Sequence, residues 1–297
     1  MADTRFLESG VINPEILRPL LKRRKPINHA RVPFILCWSH KSGCTAALKW
    51  YLHHAGVLED ALQLHDPNRR LKIHSYENKV LKAQPGYMDD LVADILAGKP
   101  AAGFMRCPYE RAFSSYMILN HGSFLEMRNR GVINPGMRTR QAVVNFVHGQ
   151  GADFQLAVSF RDYLQWLREQ DHSSLNPHHT PQSLPLHRLI PIDFYRLEDF
   201  DLAVSQLEEK FCLDQSWSER ERFSSGHHRS KTEAPVGEAL AFLEQPPALD
   251  AFPLNKLPRI SRQLLAGTGF ETLIREIFAE DIATYDAIAR LDSADSG

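Results

Sequence analysis

The stretch PFILCWSHKSGCTAALKWYLHHAG, residues 33–56, decides how the rest of the chain is read. Pro33 to Trp38 is an apolar run of strand length, and Ser39 to Thr45 is small and polar. From Thr45 onward Ala47, Leu48, Tyr51, Leu52 and Ala55 recur at helical spacing until Gly56 stops the pattern. The order is strand, tight loop, helix, with the loop at the helix N-terminus. The first N–H groups of a helix have no intrahelical acceptor, and the helix dipole leaves partial positive charge there, so the junction favours an anion. Lys41 adds a full charge, Ser42 and Thr45 add hydroxyl donors, and Gly43 lets the backbone close on a ligand without a Cβ in the way. The loop is not a Walker A sequence, which needs GxxxxGK[ST]; here the lysine precedes a single glycine.

A second junction of the same kind follows. PAAGFM, residues 100–105, is an apolar strand, and RCPYERAFSSYMIL after it puts Arg106 at the turn and Pro108 at the first helical position, where its missing N–H costs nothing. Two strand–turn–helix units with apolar strands argue for an α/β fold with a central parallel sheet flanked by helices and ligands gathered at the strand C-termini.

Around these units the reading is coarser. Residues 1–32 look like a helical lead-in whose basic cluster, Arg18, Lys22, Arg23, Arg24 and Lys25, is either a solvated face or a surface for an anionic partner. Leu71, Ile73 and Ser75 alternate with Lys72 and His74 as in a short strand, and GYMDDLVADILA, 86–97, reads as a helix. Residues 120–150 read as an irregular excursion, and a helix built on Phe154, Ala157, Val158, Phe160, Leu164 and Leu167 runs to about residue 169. HSSLNPHHTPQSLPLH, 172–187, is a proline- and histidine-rich loop. A third strand spans Leu189 to Tyr195, with a helix on Phe200, Ala203, Val204, Leu207 and Phe211 behind it. Residues 217–233 form a charged loop, prolines dominate 235–258, and one amphipathic helix through Phe270, Ile274, Phe278 and Tyr285 closes the chain. No repeat or clean linker interrupts it, so residues 1–297 are expected as a single domain, with the lead-in at 1–32 and the core at 33–290.

Composition bounds the class. The chain has 297 residues, 43% hydrophobic and 24% charged, which is ordinary for a globular protein able to bury a large core. A net charge of −1 supplies no global field for nucleic acid or membrane, so an anion site must be local. No apolar run reaches the length of a membrane span, and the first 25 residues lack the basic-then-apolar layout of a secretory signal. Cys37, Cys44, Cys107 and Cys212 contain no CxxC pair, which fits reduced thiols in a cytoplasm. His172, His178, His179 and His187 have no cysteine partner and match no familiar zinc spacing, so no metal is expected.

The pair HKSGCT (40–45) and RCPYERAFSSY (106–116) resembles the two cofactor signatures of sulfotransferases, in particular the Golgi-type carbohydrate branch and its bacterial relatives. NPHHTPQ (176–182), FYRLEDF (194–200) and EIFAEDIATY (276–285) are similar to further stretches of that family in the same order. The departures are His40 for the usual proline, Cys107 for an aspartate, and Leu197 where an aromatic is expected. With the two junctions, the resemblance sets the expected fold as a P-loop-like three-layer α/β fold.

The resemblance implies an enzyme that moves the sulfuryl group of 3′-phosphoadenosine-5′-phosphosulfate (PAPS) to a hydroxyl of a saccharide or glycan-bearing acceptor, and the cysteine usage sets the expected location as cytoplasmic. Lys41, Ser42, Gly43, Cys44 and Thr45 would hold the 5′-phosphosulfate, and Arg106 and Ser114 the 3′-phosphate, the planar guanidinium suiting a phosphate. Lys41 would stabilise charge on the bridging oxygen, and no metal is needed for a monoanionic group. His74 is the first candidate for the base that takes the acceptor proton, with His178 and His179 next. Arg111 is open between phosphate and a carboxylate partner, and Arg229, Ser230 and Lys231 between a loop over the 3′-phosphate and plain solvated chain. A P-loop nucleotide kinase, or an inactive module binding sulfated or phosphorylated ligands, are the alternatives.

Overall fold

A computed structural model describes residues 12–65, 72–223, 234–252 and 257–294. In chain order the elements are α1 (Pro14–Arg23), β1 (Ile35–Cys37), α2 (Cys44–His54), α3 (Leu58–Gln63), α4 (Lys72–Tyr76), a π-helical turn (Glu77–Leu81), α5 (Tyr87–Leu96) and β2 (Ala101–Met105). Then come α6 (Pro108–Leu119), α7 (Ser123–Asn129), α8 (Pro135–His148), α9 (Phe160–Arg168), β3 (Asp193–Arg196), α10 (Phe200–Lys210) and α11 (Arg220–Phe223). The last four are α12 (Val236–Glu244), α13 (Arg262–Leu265), α14 (Gly269–Ile277) and α15 (Ala279–Ala294). The chain divides into two compact units: Met1–Arg106 with Gln182–Ser225 and Ile288–Gly297, and Cys107–Pro181 with Gly226–Ala287.

The first unit holds the sheet, three parallel strands in the order β1-β2-β3 and flanked by helices. Ile35 pairs with Ala101 and Cys37 with Gly103, while Ala102 pairs with Asp193 and Met105 with Arg196. Every side chain of β1 and β2 is buried, which is why both read as unbroken apolar runs. At the centre, a Cβ on Gly103 would lie 2.7 Å from the Cys37 carbonyl oxygen and 3.0 Å from the Phe194 ring, so only glycine lets the strands and that ring approach. Phe34 stacks on Phe211 with ring centroids 4.6 Å apart, and Trp50 and Leu207 are fully buried in the same core. Within the expected lead-in α1 starts at Pro14, with the Asn13 side chain accepting from Ile16 N at 3.0 Å.

Three readings in this unit are corrected. The segment around 71–75 is helix from Lys72, not strand: Ile73, Tyr76, Val80 and Leu81 recur at helical intervals, a pattern longer than the five alternating residues. The third strand is only Asp193–Arg196, because Pro185–Arg188 folds as a 3₁₀ turn and Leu189 follows it. Trp217–Glu219 and α11 are helical, with Phe223 fully buried; the rest of that expected loop, including Arg229, Ser230 and Lys231, lies outside the described residues, as do residues 1–11 of the lead-in.

The named elements of the second unit are helices. The expected excursion over 120–150 is α7 and α8. Asn134 accepts from Met137 N at 2.9 Å with Pro135 at the first position, and α8 turns Met137, Arg140, Val143 and Val144 inward. α9 starts at Phe160, later than its apolar pattern, because Ser159 and Asp162 form a reciprocal capping box. The closing helix is two, α14 and α15, the first ending at Phe278 with helical dihedrals lost. Arg140 is fully buried and ties the unit's connections by donating to Phe154 O, Leu119 O, Asn120 Oδ1 and Leu156 O.

Candidate functional site

The chain leaves β1 at Cys37 and turns through residues 38–43 into α2. Ser42 N donates to Ser39 O at 3.3 Å and the two hydroxyls meet at 2.7 Å, closing the turn from inside. Lys41 has φ 67°, a left-handed conformation that is costly for a residue with a Cβ, and Gly43 repeats it at φ 67°. Gly43 occupies the N-cap position of α2; no side chain caps this end and no acidic residue stands in its first turn. A Cβ on Gly43 would overlap Leu197 Cδ1, so the Leu197 side chain packs on the glycine of the loop.

α4 brings His74 against the start of α2. Its Nε2 lies 3.2 Å from Thr45 Oγ1 and 3.6 Å from Cys44 Sγ, and its Nδ1 lies 3.0 Å from Glu77 Oε2. Glu77 is fully buried; its other oxygen accepts from Lys82 Nζ at 2.5 Å, and Lys82 also donates to Lys25 O at 2.6 Å. The π-helical turn widens the helix where this network sits, a distortion frequent at functional sites. Burial alone would lower the His74 pKa, but Cys44 and Glu77 outweigh it and raise it to about 10. Burial would raise Glu77, yet His74 and Lys82 hold it below the usual carboxylate range. Burial lowers Lys82 more than Glu77 raises it.

The Trp38 ring lies 5.6 Å from that of His74 and 4.9 Å from that of His40, with Lys82 Nζ 5.6 Å from its centroid. Its buried indole N–H finds no acceptor among the described residues.

Gln182 joins this loop to the second junction. Its Oε1 accepts from the Ser42 hydroxyl and from Arg106 N at 3.0 Å, and its Nε2 donates to Arg106 O at 2.9 Å. Arg24 Nη1 donates to the Gln182 carbonyl at 3.1 Å, so this member of the basic cluster is a buried tie and not solvated face. Arg106 Nη1 donates to Lys41 O at 3.3 Å. The geometry thus gathers Lys41, Gly43, Cys44, Thr45, His74 and Arg106.

Ser42 keeps its place in the loop, but its hydroxyl is fully buried on Ser39 and Gln182, away from solvent. Ser114 is half-buried on α6 and belongs to the second unit. Arg111, on the same helix, is buried and donates to Thr180 O at 2.6 Å. His179 is fully buried with Nδ1 2.9 Å from the Tyr163 hydroxyl, a core position for a residue offered as base. His178 Nδ1 lies 2.9 Å from Asn176 Oδ1, His172 Nε2 3.0 Å from Leu167 O, and His187 Nδ1 accepts from Leu184 N at 3.2 Å. Among the described residues no group of three or more His, Cys, Asp or Glu is placed to hold a metal ion.

Three residues of the cluster carried no sequence assignment: Glu77, Lys82 and the side-chain role of Gln182. The i, i+3 spacing of His74 and Glu77 would have signalled the first, given a helix there. Set against protein-family models, characterised proteins and solved structures, the chain finds no match in any of the three.

Proposed function

We propose that the chain is a PAPS-dependent sulfotransferase, its P-loop-like α/β unit offering residues 40–45 to the 5′-phosphosulfate of the donor and Arg106 to the 3′-phosphate. The observation that carries this reading is the meeting of an uncapped helix N-terminus with Lys41, His74 and Arg106, two loops joined through Gln182. The donor supplies a sulfuryl group already activated by its phosphate. The protein's task is to orient it and to neutralise the oxygen left behind when the S–O bond breaks and the acceptor oxygen bonds to sulfur.

Lys41 suits that neutralisation from a left-handed backbone position, a strain often kept at functional sites. His74 suits a different task from the one expected of it. A base must hold a free nitrogen at working pH, whereas this ring, raised to about 10, stays protonated through neutrality. In this reading it is a cationic donor beside Thr45, oriented by Glu77, and helps Lys41 hold the departing phosphate. The acceptor is a hydroxyl of a saccharide or glycan-bearing molecule, on the resemblance of the sequence alone.

The test is transfer of ³⁵S from labelled PAPS to a panel of saccharides in the presence of EDTA. Transfer that falls by about 100-fold or more in Lys41→Ala supports the reading. Transfer that declines as pH rises toward 10 fits His74 as donor, since the raised group loses its proton there; a base would give a rise. Phosphoryl transfer from ATP dependent on Mg²⁺, with no sulfuryl transfer, would overturn the reading in favour of a kinase.

A further inference from the structure

Cys44, His74 and Glu77 stand in the order thiol, imidazole, carboxylate. Cys44 Sγ is 3.6 Å from His74 Nε2, and the opposite ring nitrogen is 3.0 Å from Glu77 Oε2. Glu77 is fully buried and clamped from its other oxygen by Lys82, so it fixes the ring in place. Cys44 is the first residue of the eleven-residue α2 and is half-exposed. The other cysteines differ: Cys37 and Cys107 are buried, and Cys212 is exposed with no histidine or carboxylate on its thiol among the described residues.

A thiol beside an imidazolium that a carboxylate holds in place is the arrangement that stabilises a thiolate nucleophile. We propose that Cys44 is a nucleophilic thiol, activated by His74 and Glu77, and is the site at which peroxides and soft electrophiles modify this protein. With a peroxide, the Cys44 proton passes to solvent, the thiolate is held by the His74 imidazolium, and sulfur attacks the O–O bond. The S–O bond forms, the O–O bond breaks, and the departing hydroxide leaves as water with a proton from His74, which solvent then replaces. Sulfur is oxidised by two electrons and the peroxide reduced by two. A small thiol restores Cys44, first by forming a mixed disulfide with loss of water, then by releasing it through exchange with a second thiol. Oxygen added to Sγ occupies the mouth of the loop, so the modified protein loses its anion site. That consequence rests on the reading of the loop as the donor site; the reactivity of the thiol does not.

The experiment is carboxamidomethylation of the full chain by iodoacetamide at pH 7, followed residue by residue by peptide mass spectrometry. The S–C bond forms as iodide leaves. In the native protein Cys44 is expected to react about tenfold faster than Cys212, and in guanidinium the two rates converge. His74→Gln brings the native Cys44 rate to that of Cys212, and Glu77→Gln moves it the same way. Equal native rates in the wild type, a comparison that needs no variant, would overturn the proposal. So would a Cys44 rate unchanged in His74→Gln. In a second arm, peroxide-treated protein is titrated with 3′,5′-adenosine bisphosphate. Binding lost with peroxide and regained with dithiothreitol supports closure of the loop, whereas oxidised Cys44 with undiminished binding overturns that part and leaves the thiol assignment standing.

Discussion

Gly43 carries the sharpest steric demand in the loop, since its φ of 67° and the Leu197 methyl against it both exclude a Cβ. Gly43→Ala is expected to destabilise by about 2–4 kcal/mol, combining left-handed strain with overpacking. Leu197→Ala in the same chain should recover the overpacking share, leaving about 1–2 kcal/mol of strain. Urea unfolding of the two single variants and the double reads the coupling, and strict additivity would contradict the contact. The same pair marks how far single residues were legible. Lys41, Gly43 and Thr45 could be picked out because a strand–loop–helix junction is a local pattern. The inward turn of Ser42 and the hub at Gln182 could not, because Gln182 lies 140 residues from Ser42 and nothing in either's neighbourhood announces the bond.

Elements follow the same logic. β1, β2, α2 and α5 were readable because burial on one or both faces imposes an apolar pattern over their own length. α4 was misread because five alternating residues fit a strand as well as a helix until Tyr76, Val80 and Leu81 are included. α8 was missed although Asn134 and Pro135 are a start signal, since its inward face includes the buried cation Arg140 where a core residue is expected to be apolar.

Between elements, the buried carboxylate Glu208 of α10 accepts from Trp50 Nε1 at 2.9 Å and from the Ser216 hydroxyl, and meets His54 Nε2 at 3.3 Å. Burial would raise its pKa, but hydrogen bonds from Ser216, Trp50 and His54 together hold it below the usual carboxylate range. A depressed carboxylate stabilises the fold above its unfolded value and loses that contribution as pH falls through the folded one. Stability to urea should therefore decline as pH falls through the acid range in which these carboxylates take up protons, where Glu77 acts with the same sign. Glu208→Gln should cost about 2 kcal/mol at pH 7 and shrink that decline. An unchanged acid limb in the variant would show that the carboxylate does not govern it.

At the scale of the whole molecule, a chain of net charge −1 sets His74 and Lys82 on the buried Glu77 and Arg106 on the Lys41 carbonyl, at the ends of β1 and β2. In a nearly neutral protein the proposed anion site would rest on such local charges and on helix amides, with no help from the overall field. No described helix is long and apolar enough to cross a membrane. The division into two units was not legible, since no composition shift or linker marks it; the chain passes from Arg106 to Cys107 and from Pro181 to Gln182 within continuous motifs.

The most direct measurement is calorimetric titration of 3′,5′-adenosine bisphosphate into the wild type and Arg106→Ala, without added metal. Micromolar binding by the wild type, weakened at least about tenfold in the variant, is the predicted result. Absence of binding by a folded wild-type protein would contradict the assignment of the two loops to this donor.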